Sequence, residues 1–256
     1  MFKIATWNVN SLKVRLEQVL DWCQQHQPDV LALQETKLTD ENFPVQAITQ
    51  SGYQVVFSGQ KTYNGVAILT QSPPKDTQST IPNFTDPQKR ILVTTVADVR
   101  IINLYVPNGQ SVDSEKFQYK LDWLQKVTQY IAAELKQYSK LVVLGDFNIA
   151  PQPEDVHTPQ AWQGQVLFSQ PERDVFQNLI NLGLQDSFRL FDQPEKIYSW
   201  WDYRQLALQK NHGLRIDHIL ITPALAENCK AVYIDKKPRK LKRPSDHAPV
   251  VAEFEI

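Results

Sequence analysis

The amino-acid sequence predicts a layered α/β domain, in which β-strands are covered by amphipathic helices. Short apolar runs recur along the chain, and several are continuously apolar or β-branched, as strands covered on both faces are. Longer segments with apolar residues at helical spacing lie between these runs. No Gly/Ser-rich linker or low-complexity stretch divides the sequence, so we expect a single domain over residues 1–256.

The apolar runs are predicted to form the strands of the domain. They are short, rich in β-branched residues and bounded by polar or turn-forming residues. They recur without a fixed period, so the sequence does not indicate an internal repeat. The predicted strands are Phe2–Thr6, Val30–Leu33, Val55–Phe57, Val66–Leu69, Ile91–Val96, Arg100–Tyr105, Leu141–Leu144, Ile216–Ile221 and Val250–Phe254.

Three segments have the apolar spacing of amphipathic helices. The segment Leu12–His26 carries apolar residues on one face, and Pro28 lies beyond its end. The segment Ser114–Gln137 repeats this pattern over a greater length. The segment Pro171–Leu182 begins with a proline, which is favoured in the first helical turn, and ends before Gly183.

Composition and charge exclude several classes of protein. A content of 42% hydrophobic and 21% charged residues is not that of a disordered chain or a coiled coil. No apolar run is long enough to cross a bilayer, and the N-terminus lacks the apolar segment of a secretory signal. Cys23 and Cys229 are too few for a disulfide framework or a structural zinc site. We therefore expect a soluble cytoplasmic protein that does not associate with membranes.

Polar residues with reactive side chains lie at the ends of six of the nine predicted strands, where they follow four strands and open two. Layered α/β domains build their sites at strand ends, where the backbone fixes side chains that substrates can still reach. One such residue would be explained by a solvated strand end, but the repetition at separate strands points to a shared site. The strand-end segments are Trp7–Asn10, Gln34–Lys37, Val106–Gly109, Gly145–Asn148, Leu214–His218 and Ser245–His247.

The side chains of these segments suit a hard cation and acid–base chemistry. They supply carboxylate and amide oxygens without thiolates, which favours Mg²⁺ or Mn²⁺ over Zn²⁺. Mg²⁺ is usually held by one or two carboxylates, so the other groups are free for proton transfer. Together they indicate metal-assisted hydrolysis of a phosphate ester. The residues are Asn8, Glu35, Asp146, Asn148, Asp217, Asp246 and His247.

The strand-end motifs closely resemble those of the exonuclease III family of apurinic/apyrimidinic (AP) endonucleases, within the endonuclease/exonuclease/phosphatase superfamily. They appear in the family's order and span the chain, whereas QET, GDFN and SDH alone would indicate only the superfamily. The resemblance implies a four-layer α/β sandwich, with two packed mixed β-sheets flanked by helices. The matching stretches are Ile4–Asn10, Pro28–Lys37, Leu104–Gly109, Leu144–Ala150, Tyr198–Arg204, Gly213–Asp217 and Pro244–Pro249.

The resemblance also implies a role for each site residue. Glu35 is expected to be the principal metal ligand, Asp146 to orient or deprotonate the attacking water, and Asp217 to orient His247 on a phosphoryl oxygen. The implied catalytic residues are Tyr105, Asp146, Asn148, Asp217 and His247. The implied metal-binding residues are Asn8, Glu35, Asp146, Asn148, Asp246 and His247, with Mg²⁺ as the ion and Mn²⁺ as a substitute.

DNA recognition in this family implies a slot for an abasic sugar. A nucleotide without a base swings out of the helix at low cost and enters a small apolar pocket. Trp200, Leu214 and Ile216 are expected to line it, although ordinary core packing also explains all three. Asn108 is expected to contact a phosphate.

The implied activity is hydrolysis of the DNA backbone 5′ to abasic sites, with 3′-repair diesterase or 3′–5′ exonuclease activity. The implied substrate is double-stranded DNA with abasic sites or blocked 3′ ends, and the family suggests a monomer. One alternative is an enzyme that acts chiefly as a 3′–5′ exonuclease with weak AP incision. Others are a phosphodiesterase for non-DNA substrates and a DNA-binding module that has lost catalysis.

Three further features lead to separate expectations. The basic run Lys236–Arg243 fits either DNA phosphate contacts or a solvated loop. The loop Pro151–Gln170 departs from the family pattern because it is poor in basic residues, and it bears on the balance between AP incision and 3′ processing. His218 is expected to point away from Asp217, because successive strand side chains face opposite sides.

Overall fold

Two packed six-stranded β-sheets form the centre of the computed structural model, which describes residues 1–256. Both sheets are mixed, because each contains one parallel pair among antiparallel neighbours. From edge to edge, the first sheet contains β11 (Cys229–Ile234), β12 (Val250–Phe254), β1 (Phe2–Asn8), β2 (Val30–Gln34), β4 (Val66–Thr70) and β3 (Gln54–Ser58). The second contains β5 (Lys75–Gln78), β6 (Ile91–Val96), β7 (Val99–Tyr105), β8 (Leu141–Asp146), β10 (Asp217–Ile221) and β9 (Gln185–Asp186).

Three long helices cover the outer faces of the two sheets. Helix α1 (Leu12–His26) packs on the first sheet, and α3 (Glu115–Glu134) and α5 (Gln170–Asn181) pack on the second. This arrangement confirms the predicted α/β class and the four-layer sandwich. None of the helices is both long and apolar enough to span a bilayer. The short helices are α2 (Val45–Gln50), α4 (Pro159–Trp162), α6 (Ala207–Lys210) and α7 (Pro223–Ala226).

The interior between the sheets is mostly apolar, but it contains a buried polar contact around Asn103. Asn103 on β7 of the second sheet donates 3.0 Å hydrogen bonds to the carbonyls of Leu33 and Ala67 in the first sheet. The Gln34 side chain donates a 2.8 Å bond back to Asn103 Oδ1. Because buried amides are costly when left unpaired, these bonds favour one relative placement of the sheets.

The predicted strands and helices are present, with ends shifted by a few residues. Helix α3 begins after Ser114, whose Oγ accepts the N–H of Phe117 as an N-terminal cap. Helix α5 begins after Ser169, which forms a capping box with Glu172, so it starts one residue before the predicted Pro171. Strands β5, β9 and β11 were not predicted from the sequence, and all three lie at sheet edges.

Candidate active site

Strand ends from both sheets meet at one edge of the sandwich. In the second sheet, Asp146 at the end of β8 pairs with Tyr105 on β7 and with Asp217 on β10. In the first sheet, Asn8 ends β1, and its Nδ2 atom donates a 2.8 Å hydrogen bond to Asp146 Oδ2. Because this bond joins the two sheets, residues predicted from separate strands share one site.

Gly145 determines the path of the chain into Asp146. Its φ is 138°, and a Cβ atom at this position would lie 1.9 Å from the carbonyl oxygen of Leu104. No other residue fits here without moving β7, the neighbouring strand. The glycine of the GDFN motif therefore allows β8 to approach its neighbour and to present the Asp146 carboxylate at the sheet edge.

Three of the predicted ligands form a cluster that can hold a metal ion. The ligand atoms of Glu35, Asp146 and His247 all lie within 4.8 Å of one another. Asn8 Nδ2 donates a 2.9 Å bond to Glu35 Oε1 in addition to its bond to Asp146, so it fixes the spacing of the two carboxylates. Lys37 Nζ lies 2.9 Å from Glu35 Oε2 and balances part of the negative charge. The two carboxylates suit a hard cation.

Asp217 and His247 form a buried pair beside this cluster. Since a carboxylate only accepts hydrogen bonds, His247 Nδ1 carries a proton and donates it to Asp217, 2.9 and 3.1 Å from the two oxygens. The other ring nitrogen, Nε2, lies 3.8 Å from Asp146 Oδ2. Ser199 Oγ donates a 2.6 Å bond to Asp217 and accepts the backbone N–H groups of Ile216 and Asp217. These contacts hold the imidazole in one orientation.

Burial and neighbouring charges together set the pKa values of these groups. Burial alone would favour a neutral imidazole, but the carboxylates of Asp217 and Asp146 raise the pKa of His247 to about 10. Burial raises the pKa of Asp146 to about 7, against the opposing charge of His247. Burial and the charges of Glu35 and Asp146 raise the pKa of the Tyr105 phenol. At neutral pH, the His247 ring is therefore a cation and Tyr105 keeps its proton.

Asn148 and Asn108 form a pair of amides next to Asp146. Asn108 Nδ2 donates a 3.1 Å bond to Asn148 Oδ1, and Asn148 Nδ2 donates a 3.0 Å bond to the Val106 carbonyl. Asn148 has a φ of 48°, a left-handed conformation that asparagine adopts more readily than most residues. Its backbone N–H donates a 2.9 Å bond to Asp146 Oδ1, so this turn keeps the amides beside the carboxylate.

Asp246 lies at the border of the site, outside the cluster of three ligands. Its carboxylate accepts 3.0 Å hydrogen bonds from Asn10 Nδ2 and Trp200 Nε1. Burial opposes its ionisation, but the charge of His247 and these two donors outweigh burial and lower the pKa of Asp246. Asp246 is therefore ionised, and it links the site to the indole of Trp200.

Leu214 and Ile216 lie in a buried apolar cluster rather than on an open surface. Their exposed fractions are 0% and 1%, and they pack with Phe168 from the loop of residues 151–170. Trp200 is half-buried at the edge of this cluster. Of the three residues predicted to line an abasic slot, Trp200 is therefore the accessible one, and the loop covers the other two.

Lys120 is a buried cation that connects the two loops carrying the amides. Its ammonium donates to the carbonyls of Asn108 at 3.1 Å and Asn148 at 2.6 Å, and it forms an ion pair with Glu172. Lys120 was not predicted from the sequence, because a lysine on a helix is normally exposed. Its spacing of four residues from the buried Leu124 was the available signal, since both lie on the inner face of α3.

A second buried network lies behind β10. Arg215 pairs with the carboxylates of Asp155 at 2.6 Å and Asp186 at 2.7 Å. It also donates to His218 Nδ1 at 3.1 Å, so His218 Nε2 carries the ring proton and donates to the Ile149 carbonyl at 2.8 Å. As predicted, His218 points away from the Asp217 carboxylate, to the opposite face of β10. The network supports the strand that carries the Asp217–His247 pair.

The basic run Lys236–Arg243 contains one buried arginine, Arg239, and its other basic side chains are accessible. Arg239 is buried, and its guanidinium donates a hydrogen bond to the Ser245 carbonyl and lies 5.9 Å from the Trp201 ring centroid. Arg239 therefore fixes the segment that leads into Asp246. The other basic side chains of the run are exposed or half-buried, and their contact with DNA stays a prediction.

Comparisons with known proteins agree with the motifs and the geometry. The profile of the endonuclease/exonuclease/phosphatase family matches residues 5–247. Exodeoxyribonuclease III of Haemophilus influenzae is 38% identical over 98% of this chain and 99% of its own length. NExo of Neisseria, solved both as a 3′-5′ exonuclease and as a 3′ phosphatase with a product DNA hairpin, has a TM-score of 0.98 and 48% identity over 100% of both chains.

An AP endonuclease from Archaeoglobus fulgidus has a TM-score of 0.96 and 40% identity, again over 100% of both chains. These similarities extend over the full set of strand-end motifs and confirm the resemblance inferred from them. The chain therefore belongs to the endonuclease/exonuclease/phosphatase family, in the group that contains exodeoxyribonuclease III and the AP endonucleases.

Proposed function

We propose that the protein is a Mg²⁺-dependent DNA repair phosphodiesterase that hydrolyses the backbone 5′ to abasic sites and also acts as a 3′-repair diesterase and 3′–5′ exonuclease. The observation that carries this proposal is the convergence of Glu35, Asp146 and the Asp217–His247 pair at one edge of the sandwich. The activities of the similar nucleases from Haemophilus, Neisseria and Archaeoglobus support it. Its substrate would be double-stranded DNA with abasic sites or blocked 3′ ends.

The donor set fits a single hard cation held between the two sheets. Glu35 and Asp146 would hold the ion, and Asn8 would keep their oxygens at a fixed spacing. When bound, Mg²⁺ would supply charge neutralisation at a phosphoryl oxygen. His247 Nδ1 is held by Asp217, and a hard cation prefers oxygen ligands, so we assign the ring to the substrate phosphate rather than to the ion. Mn²⁺ would replace Mg²⁺, since it accepts the same oxygen ligands.

The chain's own residues then account for water activation and charge stabilisation. Asp146 would orient the attacking water and accept its proton, with Asn148 holding the phosphate beside it. The His247 cation would donate a hydrogen bond to a non-bridging oxygen, and Asp217 would keep the ring in the productive orientation. The protonated phenol of Tyr105 would donate to the same phosphate, and Asn108 would contact the phosphate through its exposed side chain.

Incision of an abasic duplex tests the proposal directly. With Mg²⁺, we expect cleavage 5′ to the abasic site, loss of cleavage with a chelator, and recovery when Mg²⁺ or Mn²⁺ is restored. A Glu35→Gln variant should need much more Mg²⁺, because one ligand has lost its charge. Intact abasic duplexes after incubation with folded protein and either ion would contradict the proposal.

A second candidate is an enzyme that acts chiefly on 3′ ends and incises abasic sites weakly. The burial of Leu214 and Ile216 beneath the loop of residues 151–170 favours it, because an abasic sugar would meet Trp200 alone. The similarity to NExo, a 3′ phosphatase, also favours it. Side-by-side rates on an abasic duplex and on a recessed 3′ end distinguish the two candidates.

The Trp200→Ala variant adds a test of the abasic slot. If Trp200 contacts the sugar, the substitution should slow abasic incision more than 3′ processing. Equal effects on both substrates would assign Trp200 to packing alone.

We also propose that residues 1–256 form one domain that acts as a cytoplasmic monomer. Sedimentation of the purified protein would check the monomeric state.

A further inference from the structure

An open pocket of about 330 Å³ lies next to the active site. None of the proposed catalytic or metal-binding side chains lines it. Trp200 is shared between the two regions, because its ring lines the pocket while its Nε1 atom donates to Asp246. A molecule in this pocket would therefore contact the indole that is hydrogen-bonded to Asp246 at the border of the site.

The walls of the pocket are flat rings from two separate segments. His157 and Trp162 come from the loop of residues 151–170, and Trp200 and His212 come from the segment of residues 198–212. The rings of His157 and His212 stack, with centroids 4.7 Å apart and an angle of 10° between their planes. Trp162 meets the His157 ring edge-on at 6.1 Å. The pocket thus presents aromatic faces and edges to its contents.

The pocket carries polar groups but little net charge. Arg204 at the rim is already paired with Asp202, with a distance of 2.7 Å between Nη2 and Oδ2. Burial and the neighbouring His212 lower the pKa of His157, so this ring is neutral at neutral pH. The loop of residues 151–170 contains neither Lys nor Arg. A phosphate would find no free cation here, whereas a neutral planar ring with donors and acceptors on its edge would be well matched.

We propose that this pocket binds an unstacked nucleobase of the DNA substrate, from a nucleotide next to the scissile phosphodiester. This inference rests on the proposed function, since it requires DNA in the active site. Stacking of a base on aromatic side chains offsets the loss of stacking within the DNA. The pocket would therefore favour ends and lesions at which a base is already unpaired, because less stacking is lost there.

Binding measurements without cleavage test this assignment. A duplex with a recessed 3′ end is prepared in a series in which each nucleotide near the end is replaced by a tetrahydrofuran residue. Dissociation constants are measured for the full chain, in chelator and at fixed salt. We expect one position at which loss of the base weakens binding by the wild-type protein about 5- to 150-fold, the range for one base–aromatic stack.

The Trp162→Ala and His212→Ala variants should lose this dependence on the base at that position. His26→Ala is a matched control, because His26 stacks on Trp22 with centroids 4.5 Å apart, away from the pocket. The control should keep the full dependence. If Trp162→Ala does not fold, Trp162→Leu and His212→Ala decide the test, since both remove a ring from the pocket. Leucine keeps an apolar side chain at position 162, and His212 is exposed, so both variants should fold.

Two outcomes would overturn the pocket assignment. One is a wild-type protein whose affinity is independent of the base at every position. The other is a base dependence that both pocket variants retain in full. Because these measurements need no turnover, a failure of abasic incision with Mg²⁺ would refute the proposed activity separately.

Discussion

The proposed role of Asp217 is to orient His247, and this pair gives the sharpest prediction for a single residue. In Asp217→Asn, a neutral amide replaces the carboxylate that orients the imidazole and holds its proton. We expect turnover to fall by ~10²–10⁴, the range for loss of a positioned acid–base group. Single-turnover cleavage rates measure this effect, and the exposed Asp98→Asn is the matched control. A near-normal rate in Asp217→Asn would remove the pair from the mechanism.

His218 predicts how the stability of the fold depends on pH. Burial, followed by the charge of Arg215, lowers the pKa of His218 from 6.5 to about 4. The His218 ring binds a proton more tightly in the unfolded chain than in the folded protein. The folded state therefore has its full stability with respect to this group above pH 6.5 and loses stability as the pH falls towards 4. The full loss is about 3 kcal/mol of unfolding free energy, because a difference of one in pKa between the folded and unfolded states corresponds to about 1.36 kcal/mol.

Denaturant unfolding of the wild type and of His218→Gln over this pH range measures the effect. The variant should have a flatter dependence of unfolding free energy on pH, because glutamine does not titrate. Parallel curves for the two proteins would show that another group is responsible.

Individual site residues differ in how well the sequence predicts them. Asp217 and His247 stand in motifs at strand ends, so both the residue types and the positions were informative. Ser199, which fixes the Asp217 carboxylate, resembles any other serine in the sequence. Arg215 pairs with Asp155, 60 residues away, and local sequence carries no signal for such a contact.

At the scale of elements, Lys120 connects α3 to α5 and to both loops that carry the amides. In Lys120→Met the Glu172 carboxylate would stay buried without a counter-charge, which costs about 3–5 kcal/mol for a pair of this kind. Denaturant unfolding should show this loss, and the double variant with Glu172→Gln should recover part of it. Lys116→Met, an exposed position on the same helix, is the control. Equal stability of Lys120→Met and wild type would refute this role.

The three long helices, the interior strands and the edge strand β3 could be predicted, whereas the other three edge strands could not. Strand β8 is buried along its whole length and is nearly continuously apolar, so its pattern was distinct. Strand β5 has the sequence KDTQ and is exposed throughout, so neither its composition nor its periodicity separates it from a loop. Strand β11 pairs on one side only, with β12, and its apolar pattern is correspondingly weak.

At the scale of the whole molecule, an ion at the proposed site would have ligands in both sheets. Glu35 follows a strand of the first sheet and Asp146 ends a strand of the second. We therefore expect Mg²⁺ or Mn²⁺ to raise the thermal unfolding temperature, with about 2.7 kcal/mol of stabilisation at 100 times the dissociation constant. Calorimetry with and without chelator measures the shift. Glu35→Gln should abolish it, and an undiminished shift in that variant would place the ion elsewhere.

The arrangement of the two sheets was predictable only through the family resemblance. Periodicity identified the strands, but pairing is non-local: β1 lies between β2 and β12, which ends the chain. The polar contact of Asn103 with the opposite sheet could not be anticipated, because an asparagine in a strand normally marks an exposed position.

The hydrogen bonds of the Asn8 amide have a consequence for how mutations deep in the protein would act. The amide donates to the carboxylates of Glu35 and Asp146, which belong to different sheets. The distance between these two carboxylates therefore depends on how far apart the sheets lie and how they are aligned. Side chains such as Val142 and Ile219, which are buried in the core between the sheets, set that thickness. Natural selection for catalytic rate would then constrain their volumes as tightly as selection for stability does.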